Sequence, residues 1–499
     1  MSRSTTTARS AVLLTVGALI LSACAGAESA PSVDAAGTSA SRSAGGAGAP
    51  APSTPLGGAG STVEPDAATS PTDTASASPS KAPATASSPA PSKTPTTTGA
   101  QLTAPSGTGT IRRVSTTAQL SAAISAAQPG DVIRVAAGTY SGRLSVMTSG
   151  TKAAPITIEP DGAVKVTLTA SLPMPSCGAT GPDENRTVTF LRGASWWTLK
   201  GVSIDGGVMV SARNANLASK WFSGRVAAGD WTSRRAIPGR GTNDPIAAKN
   251  ALARLSQIVG ATIVPSDGIT LDAVTLTRKG LHVRASRYGL VRGSRIFDVA
   301  CGTGPGIWLG NYSDGWTITG NQIGRIASSS YKHYMQEGIR IGGASSYAVV
   351  TGNTVTDLPG DGRAFTTDVD SSYNVFSHNT AQNVAIGFNE QMSGWGNVWE
   401  YNTVSTYRTA GFSVRMMDNV LKSPSKNSSS YGLLMRCNVA SGGKDFQAGG
   451  MATGKLTSNS FGEIQLGSNL RAYFVSAGNT YNGAAVVPPT NPTPSLSGC

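Results

Sequence analysis

A fifteen-residue beat governs this 499-residue chain: Gly306 to Asn321, Gly338 to Asn353, Ala364 to Asn379 and Gly387 to Asn402 are spans of equal length. Each carries apolar side chains at its second and fourth places, Ile307 and Leu309 or Ile339 and Ile341, with Phe365 then Thr367 and Phe388 then Glu390 as looser copies. A short polar turn follows, then a second strand ending in Gly-Asn or a variant, as in Val349-Val350-Thr351-Gly352-Asn353, then a third apolar stretch such as Thr403-Val404. Period-two alternation is the signature of strand, here three times per repeat.

The column closing each second strand runs Ser294, Asn321, Asn353, Asn379, Asn402, Asn438, Asn459 and Asn479. Earlier coils keep the frame without the amide, Trp197-Thr198-Leu199-Lys200 matching Ile269-Thr270-Leu271-Asp272 and Ser203-Ile204 matching Thr275-Leu276. A coil of three short strands and three turns, which hides its apolar side chains only by stacking on its neighbours, predicts an all-β right-handed parallel β-helix of about 11 coils. Asn suits the tight turn because it tolerates left-handed backbone and bonds to the turns above and below, each bond contributing about 1 kcal/mol net. An antiparallel sandwich would show two-residue Asn-Gly hairpins and no fixed column.

Residues 1–23 carry Arg3, Arg9 and the apolar run Ala11–Leu21, too short to span a bilayer and typical of a signal peptide. Leu21-Ser22-Ala23-Cys24 resembles the lipobox of bacterial lipoproteins, which implies cleavage before Cys24, lipid on its sulfur and an extracytoplasmic protein anchored to the cell membrane. Residues 24–110 are almost entirely Ala, Ser, Thr, Pro and Gly and cannot bury a core. They read as a disordered tether reaching on the order of 50 Å. The helix domain is expected over 111–485, with an insertion at 205–268 and a tail at 486–499.

Beyond Cys24 stand Cys177, Cys301, Cys437 and Cys499, an even number outside the cytoplasm that suggests two disulfides in any of three pairings. The first 110 residues are charge-balanced, so the excess of +13 sits on the folded part and favours polyanions. No nucleic-acid-binding motif occurs, and no nucleic-acid partner is expected. Leu120, Ala123, Ile124 and Ala127 share one face of a short helix that Pro129-Gly130 ends, suited to plugging the open first coil. The insertion holds Trp221, Arg225, Trp231, Arg234, Arg235 and Arg240, then a helix expected from Pro245 through Val259. It reads equally as a flap over a cleft or as a lateral brace.

Gln128-Pro129-Gly130-Asp131-Val132-Ile133-Arg134-Val135-Ala136-Ala137-Gly138-Thr139-Tyr140, following that helix, resembles the opening of the pectin-lyase-like superfamily, nearest the chondroitinase B and alginate lyase group. The resemblance covers about 115–485 and specifies fold far better than function, since this fold hosts lyases, hydrolases, epimerases and inert adhesins. It implies a substrate lying along the outer face of the first sheet, walled by loops entering that sheet. The extra length of successive coils falls between Asn321 and Gly338, Asn353 and Ala364, and Asn379 and Gly387, on that same side.

The outward columns of this sheet are His282 and Arg284, Trp308 and Gly310, Arg340 and Gly342, Thr366 and Asp368, Asn389 and Gln391, Ser413 and Arg415. Guanidinium groups, an indole platform and amides suit a sugar chain bearing carboxylates. The entering loops add Lys332, His333, Tyr334, Glu337, Asp361, Arg363, Tyr407 and Arg408. A lyase must offset the uronate charge, remove the adjacent proton and protonate the leaving oxygen. Arg340, Lys332, His333, Tyr334 and Arg415 are the candidates for this chemistry, with Trp308, Arg284, His282, Asn389, Gln391, Glu337 and Arg408 for substrate binding. An outward Arg340 is expected to be removable without harm to folding.

Glu337-Gly338-Ile339-Arg340-Ile341-Gly342 resembles the Glu-Thr-Ile-Arg-Ile-Gly stretch of the chondroitinase B and alginate lyase group, but the next coils, Thr366-Thr367-Asp368-Val369-Asp370 and Phe388-Asn389-Glu390-Gln391, lack its calcium-binding and basic residues. Its catalytic pair therefore does not carry over, and calcium through Asp368 and Asp370 stays open as the only cofactor. His378 stands for Gly in the Asn turn and reads as structural. The leading expectation is a surface-anchored lyase, in one copy, that cleaves an acidic polysaccharide by β-elimination. The alternatives are a non-catalytic carbohydrate- or wall-binding β-helix and a glycoside hydrolase using two of Asp361, Asp368, Asp370 and Glu390.

Overall fold

The computed structural model describes residues 109–178, 183–218, 252–253, 255–327, 337–368, 371–391, 394, 396–415, 430–449, 452–461, 464–466, 473–477 and 480–481. The signal, tether and tail assignments, Cys24, Asn479 and the aromatic part of the insertion lie outside them. Every strand ladder is parallel. Residue by residue, each coil pairs with the coil before and after, which makes a right-handed parallel β-helix with three faces. The second face alone holds thirteen strands, from Ile111–Val114 to Tyr473–Ala477, two more than the coils expected.

Register carries the apolar pattern into a continuous core. Val208, Leu281, Ile307, Ile339 and Phe365 fall in one first-sheet column, continued by Phe388, Phe412 and Phe446. All are buried, and Phe365, Phe388 and Phe412 stack with centroids 4.6 and 5.1 Å apart. Trp197, Trp316 and Trp399 fill the space behind them. Helix Thr117–Ser125, capped by the Thr116 side chain, buries Leu120, Ala123 and Ile124 against the first coil, as the sequence pattern predicts.

The Asn column forms as read. Asn321, Asn353, Asn379, Asn402 and Asn438 each donate the backbone N–H and side-chain Nδ2 to the Oδ1 of the next Asn, ending at Asn459. Ser294 joins through its backbone N–H to Asn321. A shorter ladder at the corner between the first and second sheets was not anticipated: Ala348 and Asn374 donate to the Oδ1 atoms of Asn374 and Asn397. His378 sits at φ 55° with its ring stacked on Tyr401, the structural place expected for it.

Two features differ from the sequence reading. Val208–Ser211 belongs to the first sheet, so the insertion begins only after it. Its described parts, including Ala215, Leu252, Leu255 and Ile263, pack on the corner residues Ala285, Tyr312 and Ala344 of three successive coils, as a lateral brace. Second, Thr380–Gln391 and Thr403–Arg415 run unbroken from the third sheet into the first. Tyr407 and Arg408 therefore lie on a strand and not in an entering loop. Cys177 and Cys301 form a disulfide, and Cys437 is disulfide-bonded as well.

Asn379→Ala should remove two side-chain donations and strand the acceptors and donors of Asn353 and Asn402 in a dry corner. Since each unsatisfied buried group costs about 1–3 kcal/mol, a loss of at least about 2 kcal/mol is expected in denaturant unfolding. The exposed Gln382→Ala on the same strand should change stability by less than about 0.5 kcal/mol.

Candidate functional site

The first-sheet register aligns Met209, His282, Trp308, Arg340, Thr366, Asn389, Ser413 and Gln447 in one outward column. Outward does not mean exposed here. His282, Thr366, Asn389 and Ser413 are 1 % exposed or less, Arg340 is buried, and only Trp308 and Gln447 remain half-open.

Three of these groups form a stack along the helix axis. The His282 ring lies parallel to Trp308 at 4.3 Å between centroids, and the Arg340 guanidinium carbon lies 5.4 Å from the Trp308 ring on the next coil. Coils repeat every 4.8 Å or so, which is why equivalent side chains meet face to face. Burial, reinforced by the nearby positive Arg186, holds the His282 imidazole well below its ordinary value, so the ring is neutral at pH 7.

Arg340 is the hub of an ion network. It donates Nη2 to Asp368 Oδ2 on the next coil, and its Nη1 lies 3.8 Å from Glu337 Oε1. Arg363 Nη1 lies 3.8 Å from the same oxygen. Beside this network Gly310 and Gly342 carry no side chain: a Cβ at Gly342 would lie 3.5 Å from Arg340 Nε and 3.6 Å from Trp308 Nε1, so the glycines leave a hollow at the indole edge. Several buried polar atoms of these outward columns have no protein partner: Trp308 Nε1, Thr366 Oγ1, both amide atoms of Asn389, both ring nitrogens of His282 and Asp368 Oδ1.

Buried polar atoms are nearly always satisfied, and leaving one unmet costs about 1–3 kcal/mol. Here they are concentrated in two neighbouring outward columns of the first sheet. The brought-together residues are thus His282, Trp308, Arg340, Thr366, Asn389, Glu337 and Asp368. Buried Gln391 lies in the neighbouring column with Arg284.

Arg340 corrects an expectation: paired and buried, it is part of the scaffold as well as of the cleft, and Arg340→Ala would strand Asp368 and Glu337. Arg408 is engaged elsewhere, donating to the carbonyls of Leu358 and Gly360 and to Asn383 Oδ1, so it ties down the 358–360 turn. Arg284 forms an ion pair with Glu184. Arg415 closes its strand in register with Gln391. Lys332, His333, Tyr334 and Asp370 lie outside the described residues. Among the described residues no three His, Cys, Asp or Glu side chains group as a metal site. Glu390, in the inward column, is fully buried, its carboxylate beside Gly394 and Asn397 at the end of the strand.

The sequence reading missed the segment between Thr169 and Val188. Arg186, 2 % exposed, donates to the carbonyls of Gly280 and Thr303 and to Asp183. Lys279, fully buried, pairs with the same Asp183 and donates to Pro173 and Asn185. Burial pushes Lys279 down and Arg186 down to about 10, opposed in both by Asp183. The available signal was the extra length of this corner and the acidic pair Asp183-Glu184.

No protein-family model matches the sequence, and neither does any curated protein. Among solved structures the chain is similar to an alginate lyase from Paenibacillus sp. str. FPU-7, at 16% identity and TM-score 0.41, over 75% of this chain and 98% of that one. It is also similar to a GH136 lacto-N-biosidase from Eubacterium ramulus, at 11% identity and TM-score 0.47, over 75% and 68% of the two chains. A third likeness is to the periplasmic alginate epimerase AlgG, at 12% identity and TM-score 0.44, over 74% and 83%.

The buried imidazole gives a pH prediction. Above about pH 6.5 the ring is neutral in both the folded and unfolded chain and contributes no slope. Below that, the unfolded chain takes up a proton that the native ring refuses, so stability falls with pH, by up to about 1.4 kcal/mol per pH unit, until the lower native value is reached. His282→Phe should keep the stack on Trp308 and flatten this acid limb in melting curves between pH 7 and 5. An unchanged slope would show that His282 does not carry it.

Proposed function

We propose that the chain binds an acidic, uronate-containing polysaccharide in the first-sheet cleft and cleaves it by β-elimination, as an extracytoplasmic protein held to the membrane by lipid on Cys24. The observation that carries this reading is the outward column of buried, unmet hydrogen-bonding atoms around an indole face and a guanidinium. Trp308, with His282 on one face and Arg340 on the other, offers a half-open apolar edge against which a sugar ring can pack. Arg340 faces the same hollow with charge to offset a uronate carboxylate, and its pairing with Asp368 fixes the direction of the guanidinium. Thr366 and Asn389 supply hydroxyl and amide groups for sugar hydroxyls.

Elimination also needs a group that is unprotonated near neutrality and has a free lone pair. In the described column His282 is neutral, but both its ring nitrogens are buried and it does not itself reach a substrate. Lys332, His333 and Tyr334 are the candidates for protonating the leaving oxygen. A screen of acidic polysaccharides tests the reading: ultraviolet-absorbing unsaturated product supports elimination, new reducing ends without it point to hydrolysis, and retention with neither makes the chain a binding module.

Asn389→Ala separates recognition from folding. Because neither amide atom has a protein partner, its loss should leave stability unchanged or raised while weakening substrate by about 1 kcal/mol, roughly fivefold. Arg340→Ala should instead reduce both, with a folding loss of about 3–5 kcal/mol for the stranded acids. Arg113→Ala, at an exposed pair with Asp161 on the first rung, should affect neither. Calorimetric binding and thermal melts on the three variants decide the matter.

A further inference from the structure

The cleft is not an open trough. After Thr169 the chain leaves the third sheet and does not enter the first until Val188. Instead of turning directly, the described residues 171–178 and 183–186 run along the helix axis over the corners of the next coils. Leu172 packs where a side chain at Gly206 would lie, Pro173 and Asn185 accept from Lys279, and Ser176 abuts Gly302. The Cys177–Cys301 disulfide and the Asp183 pairs with Arg186 and Lys279 fix this strap, and Glu184 reaches the outward Arg284 of the first sheet.

The outward column opens at one coil. Thr189, Met209 and His282 point outward from three successive coils and are at most 4 % exposed, whereas Trp308, one coil on, is half-open. Beyond Trp308 the column is buried again at Arg340, Thr366, Asn389 and Ser413. Glu184 pairs with Arg284, two residues along the strand from His282, and Arg186 lies near enough to His282 to act on its charge, so a polysaccharide laid along the axis meets the strap at this coil.

We propose that this strap ends the cleft at His282, so that the site takes the terminus of a polysaccharide chain and not its interior. The inference rests on the acidic-polysaccharide reading of the same cleft. Its elements are covalent and ionic, which makes the wall a fixed one: two buried cations share Asp183, and a disulfide crosses from strap to corner. A chain end then seats its last ring against the half-open edge of Trp308, beside the wall, with its charge toward Arg340.

The test measures binding of the full chain to one acidic polysaccharide fractionated by length. A terminus-specific site binds a fixed number of protein molecules per polymer whatever its length, and where turnover occurs it releases product with little loss of viscosity. The Cys177→Ser/Cys301→Ser variant combined with Glu184→Ala loosens the wall; its bound number should rise with polymer length, and viscosity should fall severalfold faster per product formed. If wild type binds in proportion to length, the inference fails while the functional reading stands. A folded triple variant that keeps the fixed number overturns the role of the strap. Should the triple variant not fold, Glu184→Ala alone is compared in the same way, and the wild-type measurement by itself decides whether termini are selected. If neither protein binds any acidic polysaccharide, the functional reading fails and this inference with it.

Discussion

Everything in this molecule depends on one constraint: each coil satisfies its backbone and hides its apolar side chains only through the coils above and below it. Register is therefore inherited. Once Leu281, Ile307 and Ile339 lie in one buried column, the residues between them are forced outward in another, and His282, Trp308 and Arg340 must meet. The Asn ladder locks that register at one corner, because a slip of one residue would break two hydrogen bonds per coil. Variation is thereby confined to corners. The lateral brace, the strap and the segment 357–362 all enter at corners, while the strands between them stay in step.

The repeat made most of the fold legible from the sequence. The Asn column and the outward set from His282 to Ser413 follow from counting in fifteens, because register in a solenoid is arithmetic, and the capping face of Leu120, Ala123 and Ile124 follows from helical spacing. The second ladder was equally open to reading, since Asn374 and Asn397 each stand five places before a column Asn. The strap was not. Its anchors join Asp183 to Lys279 and Cys177 to Cys301 across about a hundred residues, outside the frame, and no periodicity relates them. Burial was hidden for the same reason. Alternation tells which way Arg340 and Asn389 point but not what lies over them, so a residue expected to be free proved to be the centre of a buried ion network.

A column of unmet polar atoms is expensive in folding terms, and the architecture explains how it persists. Stability in a stacked array is close to a sum over coils and their interfaces, so a deficit of a few kcal/mol on three or four coils is offset by long runs of well-packed neighbours on either side. The Phe365–Phe388–Phe412 stack lies directly inside the Thr366, Asn389 and Ser413 positions of the same strands. Thus the strands that carry the costliest outward face also carry a dense inward one.

Arg340 shows why charge in such a cleft must be balanced before a ligand arrives. A lone guanidinium or a lone carboxylate would be costly under this degree of burial, and the pair offsets the two charges against each other. Asp368 engages Nη2, and Glu337 lies at a longer distance from Nη1, so the guanidinium beside Trp308 is held in one orientation by its acids. An arriving carboxylate need not break the pair with Asp368 to feel that charge. It adds a partner to an already oriented guanidinium, so the ordering cost of a long side chain falls on folding and not on binding.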